Sequence, residues 1–355
     1  MALDNTRDDF DIETLAAKAV DTLAVSARQV IAIWASTHSL DLIEALAFRI
    51  RQRGAFWTLR LTTESLLRRI GQDVPETYLD LIPEHELRWL ADVQAIISVR
   101  DHGGHMSGVS LLRRRKVGAE WIALIDEATR RGIRQLVVVN PTRALASAYG
   151  VPLLNLRRSY WQAINVGEQA ISKNQQKAKA RLAEARQVHI TSELGTDLHL
   201  RIDRRRVYLD EDTIPRGEVY MAPHEDSAEG IAVIDRMLLK GKPVERLRLT
   251  FAHGRLVRIE GPGSSADSFG ELLAASNGDK DVIAEFAVGL NPGIAEPTGD
   301  LLLDEKMYGS VHIAIGMNDR FGGRNRSNLH LDLVMLRPVV RLDGTPFIDH
   351  GVLSF

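Results

Sequence analysis

Cysteine is absent from the 355 residues. A disulfide framework, a zinc–thiolate site, an iron–sulfur cluster and a cysteine nucleophile are thereby excluded. No apolar run approaches the ~18 residues that a membrane span needs. The opening residues MALDNTRDDF are polar and acidic, unlike the basic-then-apolar start of a secretory signal, so the cytoplasm is the expected compartment. Neither sign of charge is in excess. Lys plus Arg number 45 and Asp plus Glu 47, a net charge of −2. A chain this close to neutral gives no general reason to expect a nucleic acid partner. The first half holds neither G-x-G-x-x-G nor G-x-x-x-x-G-K-S/T, so it lacks the usual phosphate cradles, and H-E-x-x-H is missing throughout.

What is present is ordinary globular material, 45% apolar and 26% charged. The length suits two domains. In the first half, short apolar runs at residues 29–34, 93–99 and 135–139 alternate with helical spacing at 40–52 and 119–131. That alternation predicts a mostly parallel α/β sheet. The basic run Arg113-Arg114-Arg115-Lys116 reads first as a solvated face and second as a contact for an anionic partner. A polar stretch at 166–187 reads as one long connecting helix. From Val188 short alternating strands dominate, with hairpin turns at His253-Gly254 and Asp343-Gly344. The expected architecture is an α/β amino-terminal domain at 1–187 and a strand-rich α+β metal-binding domain at 188–355.

Chemistry-bearing residues gather in the second half on otherwise apolar strands. In NLHLDLVM, strand alternation puts His330 and Asp332 on one face and Leu329, Leu331 and Leu333 on the other. Buried charge requires a partner. A divalent metal supplies one, and so does a plain His–Asp hydrogen bond at a sheet edge. In VHIAIG, His312 shares its face with Ala314 and Gly316, which leaves room beside the imidazole. Glu285 interrupts an apolar strand in VIAEFAVGL and Glu218 opens one in GEVYMAP. Glu305, in Asp304-Glu305-Lys306, is either a solvated helix residue or a ligand or base at a metal centre.

The words GEVYMAP with EDSAEG, EFAVGLNPG, TGDLLLDEK, GSVHIAIG, FGG-x-N-x-S and HLDLV occur in this order between Gly217 and Val334, about a third of the chain. In this the chain resembles the thermophilic-type aminopeptidases, a family of dinuclear metallopeptidases. The resemblance implies an α/β domain followed by a strand-rich metal domain, paired as a homodimer. Its metal ligands would be Glu218, Glu285, His312, His330 and Asp332, with Glu305 as ligand or base. The cofactors implied are two divalent ions per chain, drawn from Zn, Co, Mn or Mg. The family carries a Tyr seven residues after the His of the VHIAIG word, where this chain has Asp319.

The same words lie near those of the iron(II) dioxygenases that open 2,5-dihydroxypyridine. Those enzymes hold a His at the position of Glu285 and lack the carboxylate of Glu218. The leading expectation is therefore hydrolysis of an amide bond in a small peptide or amide, with Glu305 moving the proton. The alternatives are ring-opening oxygenation with Fe(II) and a metal-stabilised binding protein without turnover.

Overall fold

The computed structural model describes residues 10–103, 106, 108–239, 242–298 and 300–355. The chain divides into two compact units, one of residues 1–161 with 212–215 and one of 162–211 with 216–355.

The first unit is built on a parallel sheet. Its strands are β1 (Val30–Ser36), β2 (Phe56–Thr62), β3 (Ala95–Arg100) and β4 (Arg134–Val139), in the order β2-β1-β3-β4. From Ile31 onward every residue of β1 is buried, as a central parallel strand covered on both faces requires. The helix Leu40–Gln52 turns Leu42, Ile43, Leu46 and Ile50 inward at helical spacing. A fifth parallel strand, Thr213–Ile214, joins beside β4 from a distant part of the chain. Two residues carry no periodicity, so that strand had no sequence signature. The basic run lies on the helix Leu111–Arg130. Arg113 donates to the Gly71 carbonyl at 2.6 Å, and Lys116 pairs with Glu76 at 3.2 Å.

The second unit begins with the helix Glu168–Glu184, which buries Ile171, Gln175, Ala178 and Leu182 along one stripe. Two antiparallel sheets follow. The larger contains β5 (Gln187–Thr191) and β6 (Asp197–Arg201) and later takes in β10 (Glu229–Leu239), β11 (Lys242–Ala252) and β12 (Arg255–Glu260). Counting Thr213–Ile214 as β8, the smaller sheet has β7 (Tyr208–Leu209), β9 (Glu218–Met221), β13 (Ile283–Gly289), β14 (Val311–Gly316) and β15 (His330–Met335). Their order is β15-β14-β13-β9-β7. Both expected hairpin turns are present, with positive φ at His253, Gly254, Asp343 and Gly344. A parallel α/β region followed by an antiparallel strand-rich region is thus the observed fold class. Among the described residues, no helix is long and apolar enough to cross a membrane.

One face of the smaller sheet is core. Val219, Met221, Phe286, Val288, Ile313, Ile315, Leu333 and Met335 all enter a single hydrophobic cluster. The opposite face therefore receives the alternate residues, and it carries the chemistry. Gly316, at the end of β14, has φ +108°, and a Cβ there would meet the Leu329 carbonyl oxygen at 2.0 Å. It pairs with His330 in register. Gly316→Ala is expected to cost about 1–3 kcal/mol from backbone strain alone. It should also push β15 outward at His330. Denaturant unfolding and a metal titration test this, and unchanged values in both would contradict it.

Candidate metal centre

Strand register assembles the site. Glu285 pairs with Ala314, and Ala314 pairs with Asp332, so the two carboxylates flank one alanine across three strands. In the next row His312 lies between Ala287 and Val334, and Tyr220 lies beyond Ala287. Glu218 pairs with Gly289. The floor of this face is therefore mostly small: Ala287, Gly289, Ala314 and Gly316. Around it stand Glu218, Tyr220, Glu285, His312, His330 and Asp332. Small residues between the functional ones let long side chains converge above the sheet.

The convergence is close. His330 Nε2 lies 3.2 Å from Glu285 Oε2 and 3.3 Å from Asp332 Oδ1. His312 Nε2 lies 3.4 Å from Glu285 Oε1, 3.6 Å from Glu218 Oε2 and 3.9 Å from Asp332 Oδ1. One ligand atom each from Glu285, His312 and Asp332 falls within 4.8 Å of the others. His330 Nδ1–H donates to the Met317 carbonyl at 2.7 Å, which fixes the ring and aims Nε2 into the cluster. The edge of Phe321 meets the His330 ring at 5.7 Å, and Phe321 in turn meets Tyr220 at 5.6 Å.

All five residues that the sequence nominated as ligands are thus brought together, and Glu305 joins them. Glu305 follows the short helix Leu301–Asp304 and is buried. Sequence reasoning missed Lys306 as a member of the site. It is fully buried, with Nζ 2.7 Å from Glu305, 2.9 Å from Glu218 and 3.4 Å from Asp210. Its one signal was its place in the Asp-Glu-Lys word. Asp210, at the end of β7, had none. Asp319 does not join. It is 43% exposed and faces Arg326 at 4.0 Å.

Acidic groups outnumber basic ones in this volume. Burial opposes the charged form of Lys306, but Asp210, Glu218 and Glu305 outweigh it and hold the ammonium well above its usual pKa. Burial pushes Glu218 well above the carboxylate range against the pull of Lys306, and it raises Glu305 as well. Burial also works against a charged His312. The Glu285 hydrogen bond and the nearby Glu218 and Asp332 overcome it, and the imidazole is pushed up to about 9. His330 is raised well above its usual pKa by Asp332 and Glu285, again despite burial. Buried imidazoles that hold protons among carboxylates occupy a place that a cation suits.

An unpartnered atom points the same way. Among the described residues, Glu218 Oε2 is buried with no hydrogen-bond partner. An orphaned carboxylate oxygen next to a carboxylate–imidazole cluster fits a divalent ion. Lys306 is the ion pair that the apo cluster can least spare. Lys306→Met is expected to destabilise the metal-free protein by about 3–5 kcal/mol, because it strands buried carboxylates. Urea unfolding measures this, and an unchanged midpoint would refute the role.

The fold that carries this cluster is similar to that of known proteins. Thermus thermophilus AmpT superposes with a TM-score of 0.81 at 21% identity, covering 97% of this chain and 99% of that one. The 2,5-dihydroxypyridine dioxygenase of Pseudomonas putida superposes with a TM-score of 0.65 at 16% identity, covering 99% and 98%. In sequence, the curated 2,5-dihydroxypyridine 5,6-dioxygenase of Pseudomonas putida is 28% identical over 197 residues. That alignment spans 49% of this chain and only 56% of the dioxygenase. The thermophilic metalloprotease (M29) family matches residues 9–346, nearly the whole length, and the chain belongs to that family of metalloprotease enzymes.

Proposed function

We propose that this chain is a metal-dependent aminopeptidase-like hydrolase that cleaves the amide bond of a small peptide or amide. One observation carries the reading: the carboxylate count around the two imidazoles. Asp210, Glu218, Glu285, Glu305 and Asp332 share the volume with the single ammonium of Lys306. If Asp210 balances Lys306, four carboxylates remain, and two divalent ions neutralise them. A single iron held by two imidazoles and one carboxylate needs far less negative charge.

Glu218, Glu285, His312, His330 and Asp332 would hold the ions. When bound, divalent ions acidify a water and polarise the scissile carbonyl. The protein's own groups do the rest. Glu305, held by Lys306 at 2.7 Å, accepts the proton from the attacking water and returns it to the leaving amine. Burial raises its pKa toward the range a general base uses. Phe321 and Tyr220 shield the His330 side from water. The acidic side chains of the site would hold the free amino group of the substrate. With Asp319 at the family's Tyr position, this chain lacks that phenol, which favours a small amide over a long peptide.

The test begins with metal-stripped protein reloaded with Zn, Co, Mn, Mg or, without air, Fe(II). Aminoacyl amide hydrolysis is followed beside oxygen uptake with 2,5-dihydroxypyridine. Hydrolysis without oxygen uptake is expected. Oxygen consumption with Fe(II) alone would overturn the reading in favour of the dioxygenase, which the 28% identical relative keeps in view.

A further inference from the structure

The larger sheet of the second unit carries an unrelated cluster. β5 and β6 run antiparallel with His189 directly opposite His199 and Thr191 opposite Asp197. Strand alternation sends Val188, Ile190, Leu198 and Leu200 into the core. It leaves His189, Asp197 and His199 together on the outward face. The two imidazoles stack at 4.0 Å with planes 10° apart. His189 Nε2 bonds to Asp197 Oδ1 at 2.7 Å, and His199 Nε2 lies 3.7 Å from the same oxygen. Three ligand atoms gather here within 4.8 Å of one another.

We propose that His189, Asp197 and His199 form a second metal site, separate from the catalytic centre and outside its chemistry. A cation answers the geometry better than a hydrogen bond does. The 2.7 Å contact leaves His199 Nε2 at 3.7 Å from the same oxygen, whereas one ion takes lone pairs from all three groups once the two stacked rings turn toward each other. Two imidazoles and one carboxylate select a borderline transition ion, Zn²⁺, Cu²⁺ or Ni²⁺. Mg²⁺ and Ca²⁺ prefer oxygen alone. The backbone ladder holds the three residues in register, so the ordering left for the ion to impose is confined to the side chains. The side chains are 35%, 69% and 58% exposed in chain order, so solvent or an incoming group completes the coordination. Glu229, paired with His199 from β10, adds a carboxylate on the far side, where it meets His253 Nδ1 at 3.1 Å.

The proposal is tested on full-length, tag-free, metal-stripped protein titrated with ZnCl₂ and, separately, MgCl₂. Calorimetry and elemental analysis count the bound ions. The wild type is expected to bind one more zinc per chain than His189→Ala/His199→Ala, while the double variant keeps its hydrolase rate. Asp197→Asn should weaken this zinc alone, by at least the roughly 10–100-fold that loss of a supporting group costs. Asp332→Ala should leave it in place, which separates it from the catalytic ions. Equal zinc counts in the wild type and the double variant would overturn the proposal. So would magnesium binding that the double variant loses.

Discussion

Asp332→Ala is expected to abolish turnover, a loss well beyond the roughly 10–100-fold that follows removal of a group which merely supports a ligand. The same change should empty the centre of its ions. Asp332 meets His330 at 3.3 Å and His312 at 3.9 Å, and it flanks Ala314 opposite Glu285. Burial alone would raise its pKa, yet His330, His312 and Lys306 hold the carboxyl well below the usual range. It is thus ionised and ready to bind a cation throughout the neutral range. Removing it deletes one proposed ligand and frees His330 to turn toward Glu285. His330→Ala should match it in both readouts. Activity assays paired with metal analysis decide the matter, and full activity in His330→Ala would refute the assignment. Asp319→Ala is the control. That residue is 43% exposed and outside the cluster, so metal content should stay the same.

Glu305→Gln is the second large effect and has a different signature. Loss of a general acid–base group costs about 10²–10⁴-fold in rate. Gln keeps an oxygen for the Lys306 ammonium at nearly the same position, so the fold and the ions should be retained. A fall in kcat with metal content intact marks Glu305 as the proton carrier. A fall in both would make it a ligand. Activity within about twofold of wild type would remove it from the chemistry. Lys306 belongs to the same argument, because its 2.7 Å bond fixes where the Glu305 carboxylate sits.

Much of this site was legible along the chain. Alternation in HLDLVM put His330 and Asp332 on one face, and the small residues of VHIAIG left space beside His312. Carboxylates interrupting apolar strands identified Glu218 and Glu285. Each of these signals is local, because a strand's period of two is local. The parallel sheet of the first unit was legible for the same reason, since β1, β3 and β4 are continuous apolar runs.

The partnerships were not legible. Lys306 reaches Glu218 across 88 positions, and nothing near either residue names the other. Asp210 ends a two-residue strand with no pattern of its own. The basic run at 113–116 read first as a solvated face and second as a partner contact, and Arg113 and Lys116 find their partners within the unit. Composition and periodicity were enough for the fold class, the facing of β14 and β15 and the kinds of donor at the centre. Which strands lie side by side, and in what register, depends on long-range pairing and core packing. That pairing sets Ala314 between Glu285 and Asp332, seals an ammonium among carboxylates and turns Asp319 outward.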